Sequence, residues 1–464
     1  MSTEPSCSRF SRRGSFEKCY DFALTVARTR GASMQQRNYV MARAVPVAVQ
    51  WARCKAQSTW SRLIILLLVA APLGVMTLSS TAAALELPKP EPVEKFLGSA
   101  ATGSNYTVKP SVRSDGVMRI FDVDTRYGAF AFDGVEFTKL RLHELDAVAA
   151  IEKMSQSDAF GSALGRAALG PVKFGADLIT KPADTVERSL NGVSNMFDRV
   201  GAGLANNRAD RDPLLENLLG VSDTQRQLAV ELDVDPYTDF PPLAKKLKEM
   251  AGAMAAGGLP VKAGLALVPG GVGIAVSSVA TVSSAKDTLR DKTAAQVIAE
   301  VRSILLSLEV PAETTTRLVE NRNFTPADLL IMALALKQLG ARNSAAFIEQ
   351  AAGAGSRNTA FYQRRRAQLL AAHSTELGGI DSFITIGGQP INVARSGYIV
   401  AAFTFDDIAW TSVQQRTFSE ATAEIHRRNP GAAPILATTG AVTPMATRAI
   451  SKLGWKIVQL RPQR

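Results

Sequence analysis

The chain has 464 residues, of which 46% are hydrophobic, 20% charged and 6% aromatic, with a mean hydropathy of +0.04. That is length for about two or three domains around a buried core, and it excludes a wholly disordered, collagen-like or multi-span membrane chain. The formal net charge of +11 suggests a polyanion binder, but residues 1–84 hold eleven Lys/Arg against three Asp/Glu; the 42 basic and 39 acidic side chains beyond them nearly cancel, which argues against nucleic-acid binding by bulk charge.

Residues 1–84 read as a leader. Leu63 to Val69 is an unbroken apolar run that follows Arg62, the apolar character persists to Leu78, and small residues at Ala82 and Ala84 close the segment. A basic stretch, an apolar core and a small-residue cleavage site are the parts of a secretory signal peptide. Cleavage is expected after Ala84, with translation beginning at Met1, Met34 or Met41; the competing reading keeps residues 63–80 as an uncleaved anchor. Either way the basic upstream flank stays cytoplasmic, so residues 85–464 are expected outside the cytoplasm, in the periplasm or attached to the envelope. Cys7, Cys19 and Cys54 all lie in the leader. The rest of the chain therefore has no thiol chemistry, and with His143, His373 and His426 unpaired in sequence neither a metal site nor a cofactor is expected.

After the leader the elements follow in order. Residues 85–105, opening with Leu87-Pro-Lys-Pro-Glu-Pro92, read as a Pro-rich linker. Residues 106–160 read as a small antiparallel sheet and a helix: Tyr106-Thr-Val-Lys, Val117 to Val123 and Ala129 to Phe132 alternate in polarity, with Asp115-Gly116 and Tyr127-Gly128 as turns. Residues 161–376 read as helical. Thr325-Pro326 with Asp328 marks a helix start, Gly340 its end, and the apolar residues between them cover most of the circumference, as in a buried helix. Residues 377–464 read as a mixed α/β unit: a hairpin about Gly387-Gly388, an apolar strand from Tyr398, a helix ending near Asn429, then strand, helix and strand with Thr443-Pro444 as cap and first turn. The expected fold class is α+β, with an N-terminal antiparallel sheet, a helical middle and a C-terminal α/β unit.

The order Tyr106-Thr-Val, a Gly/Pro-punctuated stretch over 165–205, Val234-Asp-Pro-Tyr-Thr238, and Thr439-Gly-Ala-Val-Thr with Leu453-Gly-Trp455 resembles a family of uncharacterised exported bacterial proteins. The resemblance implies export and carries over no catalytic residue.

Three features carry functional expectations. Lys262 and Lys286 bracket twenty-three uncharged residues within the apolar, Gly-rich segment 259–285. A helix that long would span ~34 Å, enough for a bilayer, whereas its glycines and Pro269 favour a break followed by a buried helix. Val186, Leu190, Val193, Phe197, Val200 and Leu204 recur at alternating spacings of four and three, a seam for the protein's own core, a membrane surface or a partner helix. The loop bearing Thr439, Gly440 and Thr443 joins a strand to a helix and is a candidate anion or ligand site, although Thr443 also fits ordinary capping.

Other motifs fail on spacing. Ser283-x-x-Lys286 lacks its companion motifs, and Asp233-x-Asp235-x-x-x-Asp239 lacks the glycine and terminal glutamate of a calcium loop. Arg364-Arg365-Arg366, next to Phe361 and Tyr362, is a candidate contact for anionic lipid or nucleic acid, but three consecutive helical residues fan over about 200° of arc at ~3.6 residues per turn, and the run reads as a solvated face. The leading functional expectation is a non-enzymatic exported envelope protein acting through membrane-surface or protein contact. The alternative is a periplasmic ligand-binding protein or hydrolase, with its site near Thr439–Thr443 and Asp406 or Asp407, only one of which can face that site from a strand.

Overall fold

The fold is α+β, in a computed structural model that describes residues 85–168, 221–266 and 283–461, all within one unit spanning Ala82–Arg464. Its N-terminal sheet holds β1 (Glu91–Pro92), β2 (Tyr106–Val108), β3 (Ser111–Ser114), β4 (Arg119–Thr125) and β5 (Gly128–Asp133). β4 is the organiser: β5 pairs with it antiparallel from Ile120↔Asp133 to Thr125↔Gly128, while β3 and β2 share its other edge end to end. The turn between β3 and β4 is held by Asp115, whose Oδ1 accepts the N–H groups of Val117 at 2.9 Å and Met118 at 2.8 Å.

From Glu91 on, the stretch expected to be a linker packs on this sheet, and Glu86 before it bonds to Trp410 and Thr443. β1 pairs with β3, and the short helix α1 (Glu94–Leu97) buries Leu97 beside Val93 and Ala101. The prolines mask an apolar pattern (Val93, Phe96, Leu97, Ala101) that begins only after them.

The helices continue with α2 (Val135–Ser155), α3 (Asp158–Ala168), α4 (Asp223–Glu231), α5 (Pro241–Gly257), α6 (Val261–Leu265), α7 (Ser283–Asp291), α8 (Ala294–Ser307), α9 (Ala312–Val319), α10 (Pro326–Leu339), α11 (Ala345–Ala352) and α12 (Arg357–Ala372). α2, α4 and α5 cover the N-terminal sheet and share a core with Phe121, Val123 and Phe132. α10 starts at the expected cap: Thr325 accepts the Asp328 N–H, Asp328 accepts that of Thr325, and Gly340 ends the helix with φ +62°. Such a cap contributes about 1 kcal/mol. The helix is buried nearly all round, as its composition requires.

The C-terminal unit comprises β6 (Ile380–Ile386), β7 (Gln389–Ala394), β8 (Ile399–Phe403), β9 (Asp407–Ile408), α13 (Ser412–Arg428), β10 (Ile435–Thr438), β11 (Ala441–Val442), α14 (Pro444–Lys452) and β12 (Lys456–Gln459). The sheet order is β12-β10-β8-β7-β6; β6, β7 and β8 form an antiparallel meander, and β8, β10 and β12 run parallel through α13 and α14. Side chains alternate across it: Val400 and Ala402 join the core of the helical middle, while Ile399 and Ala401 join that of α13 and α14. The sheet is thus a middle layer, with α12 against one face.

That placement corrects the reading of the three arginines. Arg364, Arg365 and Arg366 are all buried, because α12 is enclosed by α10, α2 and β8 and has no side on which three such residues reach water. Arg364 meets Asp328 at 3.0 Å. Arg366 has no exposed surface; it donates to the carbonyls of Ala402 at 3.0 Å and of Pro390, and lies 4.7 Å from the Phe403 ring centre.

Candidate functional site

In a parallel α/β arrangement ligands bind in the crevice outside the carboxyl ends of the strands. β8 is followed by Thr404, Phe405 and Asp406, and β10 by Thr439 and Gly440. The two ends meet closely. Gly440 packs so tightly on the neighbouring backbone that a Cβ there would stand 2.3 Å from the Phe405 carbonyl oxygen.

Asp406 and Asp407, adjacent in sequence, turn to different partners. Asp407 faces Arg119 and accepts the Ser114 hydroxyl at 3.2 Å. Asp406 reaches the start of α2, where its Oδ2 accepts the N–H of Arg119 at 2.8 Å and that of Val135 at 3.1 Å. The residue preceding α2 is Gly134, which has no side chain with which to cap it and holds φ +95°. Asp406 supplies that cap. Burial pushes the Asp406 carboxyl up to about 7, against the two backbone N–H donors that favour its ionised form.

Around these residues lies a cavity of 190 Å³. Its apolar wall is aromatic: Phe137 from α2, Phe361 and Tyr362 from α12, and Phe405, which stacks on Tyr362 at 5.9 Å. Its polar wall holds Thr404, Asp406, Thr439 and Arg365, with Asp133, Glu136 and Lys139 also lining it. Thr404 Oγ1 is buried with no hydrogen-bond partner. Burial pushes the Tyr362 hydroxyl above its ordinary range and the Arg365 guanidinium below its own.

Of the loop residues singled out in the sequence, Thr439 and Gly440 line this cavity and Thr443 does not. The Gly440 N–H is spent on the Thr438 hydroxyl at 3.2 Å. Thr443 caps α14 through the Ala446 N–H at 3.1 Å and donates its own hydroxyl to Glu86 at 2.6 Å. The N-terminus of α14 therefore already carries a carboxylate from the protein itself. Tyr362 and Arg365, which the sequence places on or beside a solvated face, line this cavity instead. Their signal was present in Phe361-Tyr362-Gln363-Arg364-Arg365, where aromatic and cationic side chains occupy every side of one helix.

The seam Val186, Leu190, Val193, Phe197, Val200 and Leu204 lies outside the described residues, as does the centre of the apolar segment 259–285. Among the described residues no helix is long and apolar enough to cross a membrane. Asp233, Asp235 and Asp239 diverge: Asp233 pairs with Lys286, Asp235 accepts the Tyr237 N–H at 2.8 Å, and Asp239 takes Arg141 and Arg357. Among the described residues no group of three His, Cys, Asp or Glu side chains is placed to hold a metal ion. Compared with protein-family models, curated proteins and solved structures, the chain gives no match in any of the three.

Proposed function

We propose that this is an exported protein that binds a small molecule in the cavity at the carboxyl ends of β8 and β10. One observation carries the reading: two parallel strand ends, an aromatic wall, a half-buried carboxyl and a buried guanidinium converge on a single concavity. That combination of an apolar lining with a few converging polar groups of shifted pKa is the signature of ligand sites. Export rests on the basic, apolar and small-residue parts of residues 1–84. Contact with a membrane surface or an envelope protein rests on the seam at 186–204, and the cavity lends it no support.

The test is a fragment screen against the intact chain by thermal shift, followed by isothermal titration of the hits. The expected result is saturable binding at one site that competes between hits and is weakened at least about tenfold by Thr439→Trp, which fills the cavity. Hits that bind Thr439→Trp and the wild-type chain equally would overturn the reading.

A further inference from the structure

The geometry points to a small zwitterion, a free α-amino acid with an apolar or aromatic side chain, as the ligand of this cavity. The inference rests on the cavity reading above and assigns a chemistry to each of its walls.

The carboxylate end is set by Arg365. Its side chain is 7% exposed, yet its hydrogen bonds are poor: Nη2 reaches Glu136 only at 3.5 Å, Nη1 reaches Gln368 at 3.5 Å, and Nε has no partner. Arg364 also has an unpartnered Nε, but its guanidinium is paired with Asp328 at 3.0 Å, and Arg366 donates to the Ala402 carbonyl at 3.0 Å. Charge-assisted N–H···O bonds settle near 2.7–2.9 Å. Arg365 is thus a buried cation with unspent donors on the cavity wall, and a planar carboxylate is the group that matches a guanidinium fork.

The ammonium end is set by Asp406. The N–H of Arg119 takes Oδ2 and that of Val135 is shared between both oxygens at 3.1 Å, which uses only part of the carboxylate's capacity to accept. A ligand ammonium beside it would offset the burial that disfavours its charge. The other charges are already engaged: Lys139 meets Glu136 at 3.1 Å, and Asp133 accepts from Asn358 at 2.8 Å. A phosphate or other pure anion would set a second negative charge against Asp406, and a simple amine would leave the donors of Arg365 unspent. Only a ligand carrying both charges satisfies both walls.

Size and shape complete the assignment. At ~30 Å³ per water the cavity has room for about six waters, the scale of a small metabolite. The rings of Phe137, Phe361, Tyr362 and Phe405 offer an apolar seat for its side chain.

The experiment is titration calorimetry of the full chain with L-leucine and L-phenylalanine, 3-phenylpropionate (which lacks the ammonium) and phenethylamine (which lacks the carboxylate). Binding of an amino acid, with both truncated analogues weaker by about tenfold or more, is the expected result. Arg365→Gln should abolish binding of the amino acid and of 3-phenylpropionate alike, and Asp406→Asn should erase the preference of one over the other. Should Arg365→Gln fail to fold, the analogue series on the wild-type chain decides. Equal binding of the amino acid and its truncated analogues overturns the zwitterion. So does tight binding of another chemical class that is blocked by Thr439→Trp, although the cavity reading then survives. Absence of binding by amino acids and by every fragment overturns both.

Discussion

The carboxylate of Asp406 accepts the backbone N–H of Val135, 271 residues earlier, and so caps a helix whose own capping position is a glycine. The C-terminal sheet and the N-terminal layer are joined at that point, which is also a wall of the cavity. Asp406→Ala should lower stability by about 1–2 kcal/mol, because it leaves the N–H groups of Arg119 and Val135 without an acceptor. Asp406→Asn keeps an acceptor oxygen and should cost much less. Urea denaturation of the two variants beside the wild type measures the difference.

Stability should fall as pH rises from about 5 to about 7 and level off above. Asp406 and Asp235 are each pushed up to about 7, chiefly by burial, with Asp328 adding repulsion at Asp235. A carboxyl with a raised folded-state pKa holds its proton more tightly in the native protein than in the unfolded chain. Its contribution is therefore complete below its ordinary value of 3.8 and is lost as pH climbs through about 7. Denaturation midpoints across that range should slope downward in the wild type and flatten in Asp406→Asn combined with Asp235→Asn.

Gly440→Ala should destabilise by about 1–3 kcal/mol or more. The added carbon would meet backbone, 2.3 Å from the Phe405 carbonyl oxygen and 2.5 Å from the Asp406 carbonyl carbon, and neither can swing aside as a side chain would. Gly431→Ala is the control. Its nearest neighbour is 3.9 Å away, and thermal melts should place it close to the wild type.

Arg366→Ala should be among the most damaging single substitutions on α12, at about 2–5 kcal/mol. It empties a fully buried volume and strips the carbonyls of Ala402 and Pro390 of a donor. Arg366→Met refills most of that volume without burying a charge and should cost less, since a buried cation is itself expensive. Chemical denaturation of both variants tests the ordering.

Much of the fold was legible because its signals are local. The Thr325–Asp328 box, the Thr443 cap, and the turns at Asp115-Gly116 and Gly387-Gly388 each depend on residues within a few positions of one another. β3 was not legible: Ser111-Val-Arg-Ser has one apolar residue and becomes a strand only through β1 and β4 on either side. The site divides along the same line. Thr439 and Gly440 were visible as a strand-to-helix loop, whereas their cavity depends on α12, whose burial is a fact of tertiary packing. A run of three arginines reads as surface until it is known that the helix has no surface.

Glu86 offers a separate check on the amino end. Its carboxylate accepts the Trp410 N–H at 2.5 Å and the Thr443 hydroxyl at 2.6 Å, and its own N–H donates to the Trp410 carbonyl at 2.9 Å. Glu86→Ala should leave the C-terminal sheet folded and raise the hydrogen-exchange rate of the Trp410 amide. Unchanged protection at Trp410 would show that the anchor contributes nothing there.

The same anchor bears on how the chain reaches its native state. Glu86 and Thr443 stand 357 positions apart, so their contact cannot form until nearly the whole polypeptide has been synthesised. Contacts so distant along the chain make folding slow and leave early segments waiting without their partners. Leu85 and Glu86 leave the ribosome long before Trp410 and Thr443, and must wait for them to find their place.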